Sequence, residues 1–303
     1  MLMLTFTYHQ VMPVFLDFLF PFGRQQYAQG FHFSGFRYHN QLAECDRGLR
    51  VPDLGRTGYH LQLCYSLESV EPSRGQRNWP WSIRKIAVYH SFDVGDGRAT
   101  WIVVKGDQLM KHRMMSATGP GGSPTLSSFQ SVRQLFASTL AMHLIVYEWS
   151  GENWRWYIDF LEMTFQTATR RTKSVRVDNM LVQSTPAIAP TPPEVPPGPE
   201  KQFDMDGRPD ISFSDLQQLQ DIEDKANEML LVLNVNVNVH TELGQYYRNF
   251  TYLGDWQHYL GFECRDEIAR FERRVDNVKK CLQMQESRLQ ALLRLLAGRK
   301  SLV

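Results

Sequence analysis

The carboxyl-terminal region of the chain carries a long stripe of apolar residues, and this stripe limits what the chain can fold into. Its members recur at alternating steps of three and four residues, which is the spacing of a coiled coil. A helix of about 30 residues is roughly 45 Å long and exceeds the width of a small domain. The stripe, which we interpret as an oligomerisation stripe, comprises Ile268, Phe271, Val275, Val278, Leu282, Leu289, Leu292 and Leu296, with Gln285 at its one polar position.

The stripe needs a partner that removes it from water. Burying one Leu or Val side chain contributes about 1.5–3 kcal/mol, so a fully exposed stripe would forfeit more than the net stability of a typical domain, about 5–15 kcal/mol. The sequence offers two partners: a preceding helix that folds back as an antiparallel hairpin, and the same helix in other subunits. Both alternatives stay open, and they can coexist.

The preceding helix is predicted to begin at Ser212, whose hydroxyl can cap the free amides of the first turn, with Asp215 inside that turn. Apolar residues then continue at helical spacing towards Leu243. The stretch "NVNVNVH" alternates with a period of two, as strands do. Because its flanks are helical and no turn residue interrupts them, we predict a helix through it.

A proline-rich segment divides the chain. Residues 184–210 combine eight prolines with acidic residues and almost no large apolar ones, which predicts an extended, semi-rigid linker. A ligand for an SH3-like or WW-like module is the alternative interpretation. The predicted organisation is therefore an α/β domain over residues 1–183, a linker over 184–210 and long stalk helices over 211–303.

The first domain is predicted to combine strands and helices. The runs "IRKIAVYHSFDV" and "RATWIVVKG" flank "GDG", which indicates a β-hairpin. Upstream, "GYHLQLCYSLESVE" is typical of a strand. Two helical periods follow, from Phe129 and from Glu152, joined at Ser150-Gly151 and expected to cover the sheet. We predict an α/β (α+β) fold with a mixed or antiparallel sheet and packed helices, followed by a long helical hairpin or coiled-coil stalk.

Composition excludes several classes of protein. The formal net charge of +1 gives no general attraction for nucleic acid or for an anionic membrane. The four cysteines form no C-x-x-C pair, which favours a reducing compartment over a zinc or disulfide framework. The apolar start lacks the basic region and cleavage site of a signal peptide, and we interpret it as core. No run reaches the ~20 apolar residues of a membrane span.

No catalytic constellation stands out, so we predict that the chain is not an enzyme. "TGPGGSPT" lacks the lysine and hydroxyl of a phosphate-binding loop, and no H-E-x-x-H motif occurs among the nine histidines. His143, on an apolar helix, is predicted to be a hydrogen-bonded core residue. No cofactor and no metal ligand are assigned from these motifs.

Taken together, four stretches resemble the soluble N-terminal region of fungal CorA-like proteins, relatives of the CorA magnesium channels. The resemblance covers most of residues 8–183 and 210–297, and the hairpin is its most specific part. The stretches are "YHQVMPVFLDFLFPFG", "FHFSGFRY", "WSIRKIAVYHSFDVGDGRATWIVVKG" and "FSDLQQLQDIEDKANEMLLVLNVNVNV".

The resemblance implies a cytosolic domain whose stalk helices lead to two transmembrane helices, in subunits that form a pentameric pore with a Gly-Met-Asn selectivity motif. This chain has no Gly-Met-Asn and stops at Val303, where the first membrane helix is expected. We therefore expect that it cannot conduct ions by itself, since a pore requires spanning segments. A short gene prediction, a truncated paralogue or a deliberately shortened chain would each explain this. Localisation is expected to be cytoplasmic, or on the cytosolic side of a membrane if the full-length protein continues.

The resemblance also raises a magnesium hypothesis. CorA relatives are regulated by Mg²⁺ held between cytosolic domains by carboxylates, and Mg²⁺ keeps most of its waters. The leading functional hypothesis is an assembly or regulatory module of a cation transport protein, which self-associates or joins full-length subunits through its stalk helices. The alternative is a cytosolic interaction scaffold with a CorA-like fold and no ion role. The acids that could serve Mg²⁺ are Asp204, Asp206, Asp210, Asp215, Asp221, Glu223, Asp224 and Glu228.

Overall fold

The computed structural model shows a mixed α+β protein with an antiparallel sheet, packed helices and a long helical region, which confirms the predicted fold class. The chain forms two compact units. The first contains residues 1–155 and 231–287, and the second contains residues 156–230 and 288–303. The structure describes residues 2–23, 35–73, 79–105, 108–119, 131–178, 213–250 and 264–300.

The described elements are seven α-helices, four strands and three short 3₁₀ helices. The helices are α1 (Leu2–Tyr8), α2 (Phe15–Leu19), α3 (Gln108–Thr118), α4 (Val132–Ser150), α5 (Trp154–Asp178), α6 (Phe213–Phe250) and α7 (Arg265–Lys300). The strands are β1 (Phe36–Gln41), β2 (His60–Pro72), β3 (Trp81–Asp93) and β4 (Ala99–Val104). The predicted linker, 184–210, lies outside the described residues, and the three-part division of the chain stays a prediction.

The four strands form one antiparallel sheet in the order β1-β2-β3-β4. The predicted hairpin is confirmed, because β3 pairs with β4 in the register that places His90 opposite Trp101. Gly97 adopts a φ of 75° in the turn, a conformation that a residue without a side chain adopts easily. The buried Asp93 carboxylate accepts hydrogen bonds from the Thr57 amide and hydroxyl, which holds the end of the hairpin against the preceding loop.

Each face of the sheet carries a different layer. The amino-terminal helices cover one face, where Phe15 and Phe18 pack with Cys64 and Tyr89. Phe15 and Phe18 of the apolar start are therefore core, as predicted, whereas Leu4 and Phe20 are exposed. On the other face, the alternate residues of β2 and β3 pack against α4 and against parts of α6 and α7, within the first unit. Because both faces are covered, β2 is buried without a break from His60 to Val70, although its sequence alternates between large apolar residues and more polar ones.

The prediction that both central helices cover the sheet is confirmed for the first of them. Helix α4 packs on the sheet through Phe136, Leu140 and Leu144. From Trp156 onward, however, α5 belongs to the second compact unit. The spacing of its apolar residues resembles that of α4. Such spacing shows that one face of a helix is buried, but it does not identify the element that covers this face.

The "NVNVNVH" stretch lies inside α6, as predicted. With a helical period, Leu233, Asn236, His240 and Leu243 fall on one buried face. The Tyr246 hydroxyl, further along this helix, donates to Asn40 Oδ1 on β1 at 2.8 Å. Helix α6 is thus attached to the sheet through polar groups as well as apolar ones.

Asparagine side chains protect the edge of β2 beyond the end of β1. Strand β1 pairs only with His60–Tyr65, so the following backbone groups of β2 need other partners. Asn236 Oδ1 accepts from the Glu68 amide at 3.1 Å, and its Nδ2 donates to the Glu68 carbonyl at 2.7 Å. Asn153 Nδ2 donates to the Val70 carbonyl at 2.8 Å. Two asparagines therefore bind backbone groups of β2 beyond its described pairing with β1.

Replacing Asn236 with alanine should lower the free energy of unfolding by about 2 kcal/mol, because two buried backbone groups of Glu68 lose their partners. Urea unfolding followed by circular dichroism measures this change. Asn238→Ala is the matched control, since Asn238 is exposed on the same helix, and it should leave stability within about 0.5 kcal/mol. Equal losses in both variants would contradict this role of Asn236.

The second unit combines parts of three helices. Residues 156–178 of α5, 213–230 of α6 and 288–300 of α7 belong to it. Arg288 on α7 donates to Glu162 Oε1 on α5 at 2.8 Å and also contacts Asp159. These hydrogen bonds raise the pKa of the Arg288 guanidinium. The buried apolar side chains described in this unit are Tyr157, Ile158, Leu161, Phe165, Leu219, Ile222, Ala226, Met229, Leu289, Leu292 and Leu296.

Candidate functional site

The predicted oligomerisation stripe lies on α7 and is covered within a single chain. Val278 is half-buried, and the other members are at most 5% exposed. Ile268, Phe271, Val275, Val278 and Leu282 belong to the first unit, and Leu289, Leu292 and Leu296 belong to the second. A single chain therefore suffices to remove the stripe from water. An oligomer in which the same side chains meet those of a second copy stays a prediction, and it would require these contacts to separate first.

Gln285 occupies the polar position of the stripe and is 9% exposed. Among the described residues, its Oε1 atom has no hydrogen-bond partner. A buried amide in a helical seam lowers stability but disfavours other registers of the same helices. Gln285 thus favours one alignment of α7 over shifted ones.

A buried ion pair connects β2 and β3. Lys85 Nζ lies 3.1 Å from Glu68 Oε1, and the two side chains are 6% and 2% exposed. Burial lowers the pKa of Lys85, and the neighbouring Glu68 carboxylate opposes this shift. Asn236 holds the backbone of the same Glu68, so the pair and the edge contact share one residue.

A second polar group, centred on His143, lies between α4 and the sheet. The Tyr65 hydroxyl lies 2.9 Å from His143 Nδ1, and His143 Nε2 lies 3.2 Å from His90 Nδ1. The His90 ring stacks on Trp101 with a centroid distance of 4.2 Å. Burial raises the pKa of the Tyr65 hydroxyl, so this group keeps its proton and can donate. His143 is the hydrogen-bonded core residue that the sequence predicts.

A third buried histidine joins α6 to α4. The His240 Nε2 atom lies 2.9 Å from the Ser150 Oγ atom, and the His240 ring packs edge-on against Tyr147 at 4.2 Å. Burial lowers the pKa of His90 and of His240 to about 3, and burial together with His90 lowers that of His143 well below 6.5. The three rings are therefore neutral at physiological pH.

Acid should destabilise the protein through these histidines. Their pKa values in the folded state lie below the ordinary value of 6.5, so the unfolded state binds more protons between about pH 6.5 and pH 3. Stability is present above pH 6.5 and falls as the pH drops through this window, by up to about 1.4 kcal/mol per pH unit for each histidine. Urea unfolding at pH 7 and pH 5 measures the slope.

A histidine variant and its control identify the source of this slope. His240→Gln should flatten the dependence of the unfolding free energy on pH. The slope should fall by the amount that corresponds to about one bound proton, because glutamine does not titrate. His39→Gln, on the exposed outer side of β1, should leave the slope unchanged. Identical slopes in the wild-type protein and in His240→Gln would rule out a contribution of His240.

The acids proposed for Mg²⁺ do not converge in the part of the chain that the structure describes. Glu223 contacts Lys300, and Glu228 Oε2 accepts from Lys225 Nζ at 2.8 Å. No group of three or more His, Cys, Asp or Glu side chains arranged to hold a metal occurs among the described residues. Asp204, Asp206 and Asp210 lie outside them. Magnesium binding therefore stays a prediction.

Several buried polar residues are not predicted from the sequence, although the sequence contains a pattern that could have identified some of them. Asn236 and His240 share a face with Leu233 and Leu243 once "NVNVNVH" is given a helical period. Glu68 and Lys85 become cross-strand neighbours once the register of β2 and β3 is known. The sequence contains no signal that would pair His90 with His143, because they come from a strand and a helix far apart in the chain.

Comparison with known proteins identifies one similarity. A family model described as CorA-like transporters matches residues 1–173, which is more than half of the 303 residues. No curated protein and no solved structure matches the chain. A search for membrane spans within the described residues finds no helix with the required length and apolar character.

Proposed function

This chain belongs to the family of CorA-like transporters, and from that premise we propose that it acts as an assembly and regulatory module of a cation (Mg²⁺) transport protein. In this role it holds transport subunits together on the cytosolic side of a membrane and does not itself supply the ion path. Its partners are further copies of this chain or full-length CorA-like subunits.

One observation supports this proposal. The chain combines a match to the family over residues 1–173 with two very long helices. Helices α6 and α7 contain 38 and 36 residues, or about 55 Å each at 1.5 Å per residue. Their buried apolar stripe supports a role as packed, stalk-like elements. Helices of this length present surface well beyond what an α/β domain needs for its own core.

Co-assembly is the experiment that tests the proposal. The chain would be expressed together with a full-length CorA-like subunit, purified in detergent through a tag on the chain, and reconstituted into vesicles that contain a Mg²⁺-sensitive dye. We expect stoichiometric co-purification and a change in Mg²⁺ influx relative to vesicles with the full-length subunit alone. A soluble helical protein with the same tag is the control. Absence of both effects would contradict the proposal.

Calorimetric titration with Mg²⁺ separates regulation from simple scaffolding. A regulatory site should give saturable heat that disappears when the acids between residues 204 and 228 are replaced by their amides. A flat trace, with co-purification intact, would favour the alternative of an interaction scaffold without an ion role.

A further inference from the structure

Helix α5 carries an apolar stripe on its outer side, within the second compact unit. Trp156 and Met163 are 57% and 66% exposed, and Phe160 between them is half-buried. Steps of four and three residues place these side chains and the exposed Thr167 within about 60° around the helix, opposite the buried Phe165. These four outer residues, the α5 stripe, therefore form one surface that extends over about 16 Å of helix.

The polar groups along the α5 stripe already have partners. Thr164 Oγ1 donates to the Phe160 carbonyl at 2.8 Å, and Thr167 Oγ1 donates to the Met163 carbonyl at 2.8 Å. The neighbouring carboxylates of α5 contact Arg288. An apolar ligand can therefore cover the stripe without leaving either hydroxyl group unsatisfied.

The proline-rich segment contains a repeat that fits this surface. A polyproline II helix has three residues per turn, so prolines at every third position share one of its faces at intervals of about 9.3 Å. Trp156 and Met163 are about 10.5 Å apart along α5, and two successive prolines of such a face can contact both. Aromatic grooves recognise proline-rich segments in this way. Four prolines of the segment have this spacing, and we call them the proline face: Pro190, Pro193, Pro196 and Pro199.

The connection between α5 and α6 is long enough to reach the stripe. Burial and the Glu228 carboxylate raise the pKa of Tyr157, which places the start of α5 near the last turns of α6 in this unit, so the two helices are antiparallel. Antiparallel neighbours need only about 2–8 connecting residues, whereas residues 179–212 provide 34. Met163 lies about 22 Å from the end of α5, and residues 179–189 can span about 34 Å as polyproline II.

We propose that residues 190–199 dock on the α5 stripe of the same chain as a polyproline II helix, with the proline face against Trp156 and Met163. The α5 stripe is then a binding surface for a proline-rich ligand, and the chain carries that ligand itself. The inference goes beyond the proposed function and does not depend on it, because the contact requires neither a transport subunit nor Mg²⁺.

Competition between the attached segment and a free peptide tests this contact. In one variant, the glycine–serine chain, a glycine–serine sequence of equal length replaces residues 184–210. A synthetic peptide of residues 184–210 should bind this variant in a calorimetric titration. It should bind the wild type at least about tenfold more weakly, because the attached segment competes at an effective concentration on the order of millimolar.

Substitutions in both partners locate the contact. In the glycine–serine chain, Trp156→Ala and Met163→Glu should each raise the Kd of the peptide at least about tenfold without changing the circular dichroism spectrum. Gln166→Ala, at an exposed position of α5 outside the stripe, should leave the Kd unchanged. Alanine at all four positions of the proline face should weaken the peptide at least about tenfold. A control peptide loses the same number of prolines and should bind like the original one; its alanines replace Pro186, Pro192, Pro197 and Pro209.

Fluorine NMR detects the same contact in the intact protein. In protein labelled with 5-fluorotryptophan, the signal of Trp156 is the one missing from Trp156→Phe. Its chemical shift should differ between the wild type and the glycine–serine chain. Replacing the proline face with alanine in the full chain should move the signal to its position in the glycine–serine chain.

Three results would overturn the proposal. If the glycine–serine chain does not bind the peptide and the Trp156 signal is the same in both proteins, residues 184–210 are a spacer. If Trp156→Ala and Met163→Glu bind the peptide as tightly as their parent, the contact lies elsewhere. If the Trp156 signal reaches its wild-type position only at high protein concentration, the segment docks on a second copy of the chain.

Discussion

Replacing Lys85 with methionine should lower the free energy of unfolding by about 3–5 kcal/mol. The ammonium group lies 3.1 Å from Glu68 Oε1, and both side chains are almost fully buried. Methionine fills a similar volume, but it leaves the Glu68 carboxylate without its opposite charge in a place that water does not reach. Urea unfolding at neutral pH, compared with the wild type, measures the loss.

Two further measurements show that charge is the cause. The double variant Lys85→Met with Glu68→Leu should recover most of the loss, since an apolar pair can replace a buried ion pair at little cost. Arg84→Met, at an exposed neighbouring position, is the control and should change stability by less than about 1 kcal/mol. A double variant as unstable as the single one would contradict this explanation.

Truncation of Leu282 to alanine should cost about 2–5 kcal/mol of unfolding free energy, because it leaves a cavity in the stripe of α7. Leu282 is 1% exposed within a single chain. Since no second copy is needed for this burial, the loss of stability caused by Leu282→Ala should be the same at every protein concentration. Thermal unfolding over a hundredfold range of concentration, followed by circular dichroism, checks both expectations.

Met284 is the matched control for this truncation. It lies two residues further along α7 and is 61% exposed. Met284→Ala should therefore change stability by no more than about 0.5 kcal/mol. If the wild-type midpoint rose with concentration and Leu282→Ala removed that rise, the stripe would be covered by other subunits, as the second of the two sequence alternatives holds.

The elements of this fold with a strong local pattern are predictable from the sequence. The β3–β4 hairpin has β-branched runs on both sides of a turn, and α7 has a long apolar period, so each follows from a few neighbouring residues. The helix through "NVNVNVH" is also predicted, because the flanking period decides between two possible assignments. In each case the local preference and the tertiary packing agree.

The partners of these elements are less predictable. The period of α5 indicates a buried face, but it does not show that the helix from Trp156 onward belongs to the second compact unit. The contact between Asn236 and Glu68 joins residues 168 positions apart and depends on where β1 ends.

The polar attachment of α6 has a mechanical consequence. Asn236, His240 and Tyr246 bind three separate elements, β2, α4 and β1, over about 15 Å of helix. Sliding the helix lengthwise by one turn, about 5.4 Å, would break all three attachments at once. Within the first unit, α6 therefore resists sliding along its own axis. A force that acts on this helix is transmitted more easily by tilting or bending than by translation along the axis.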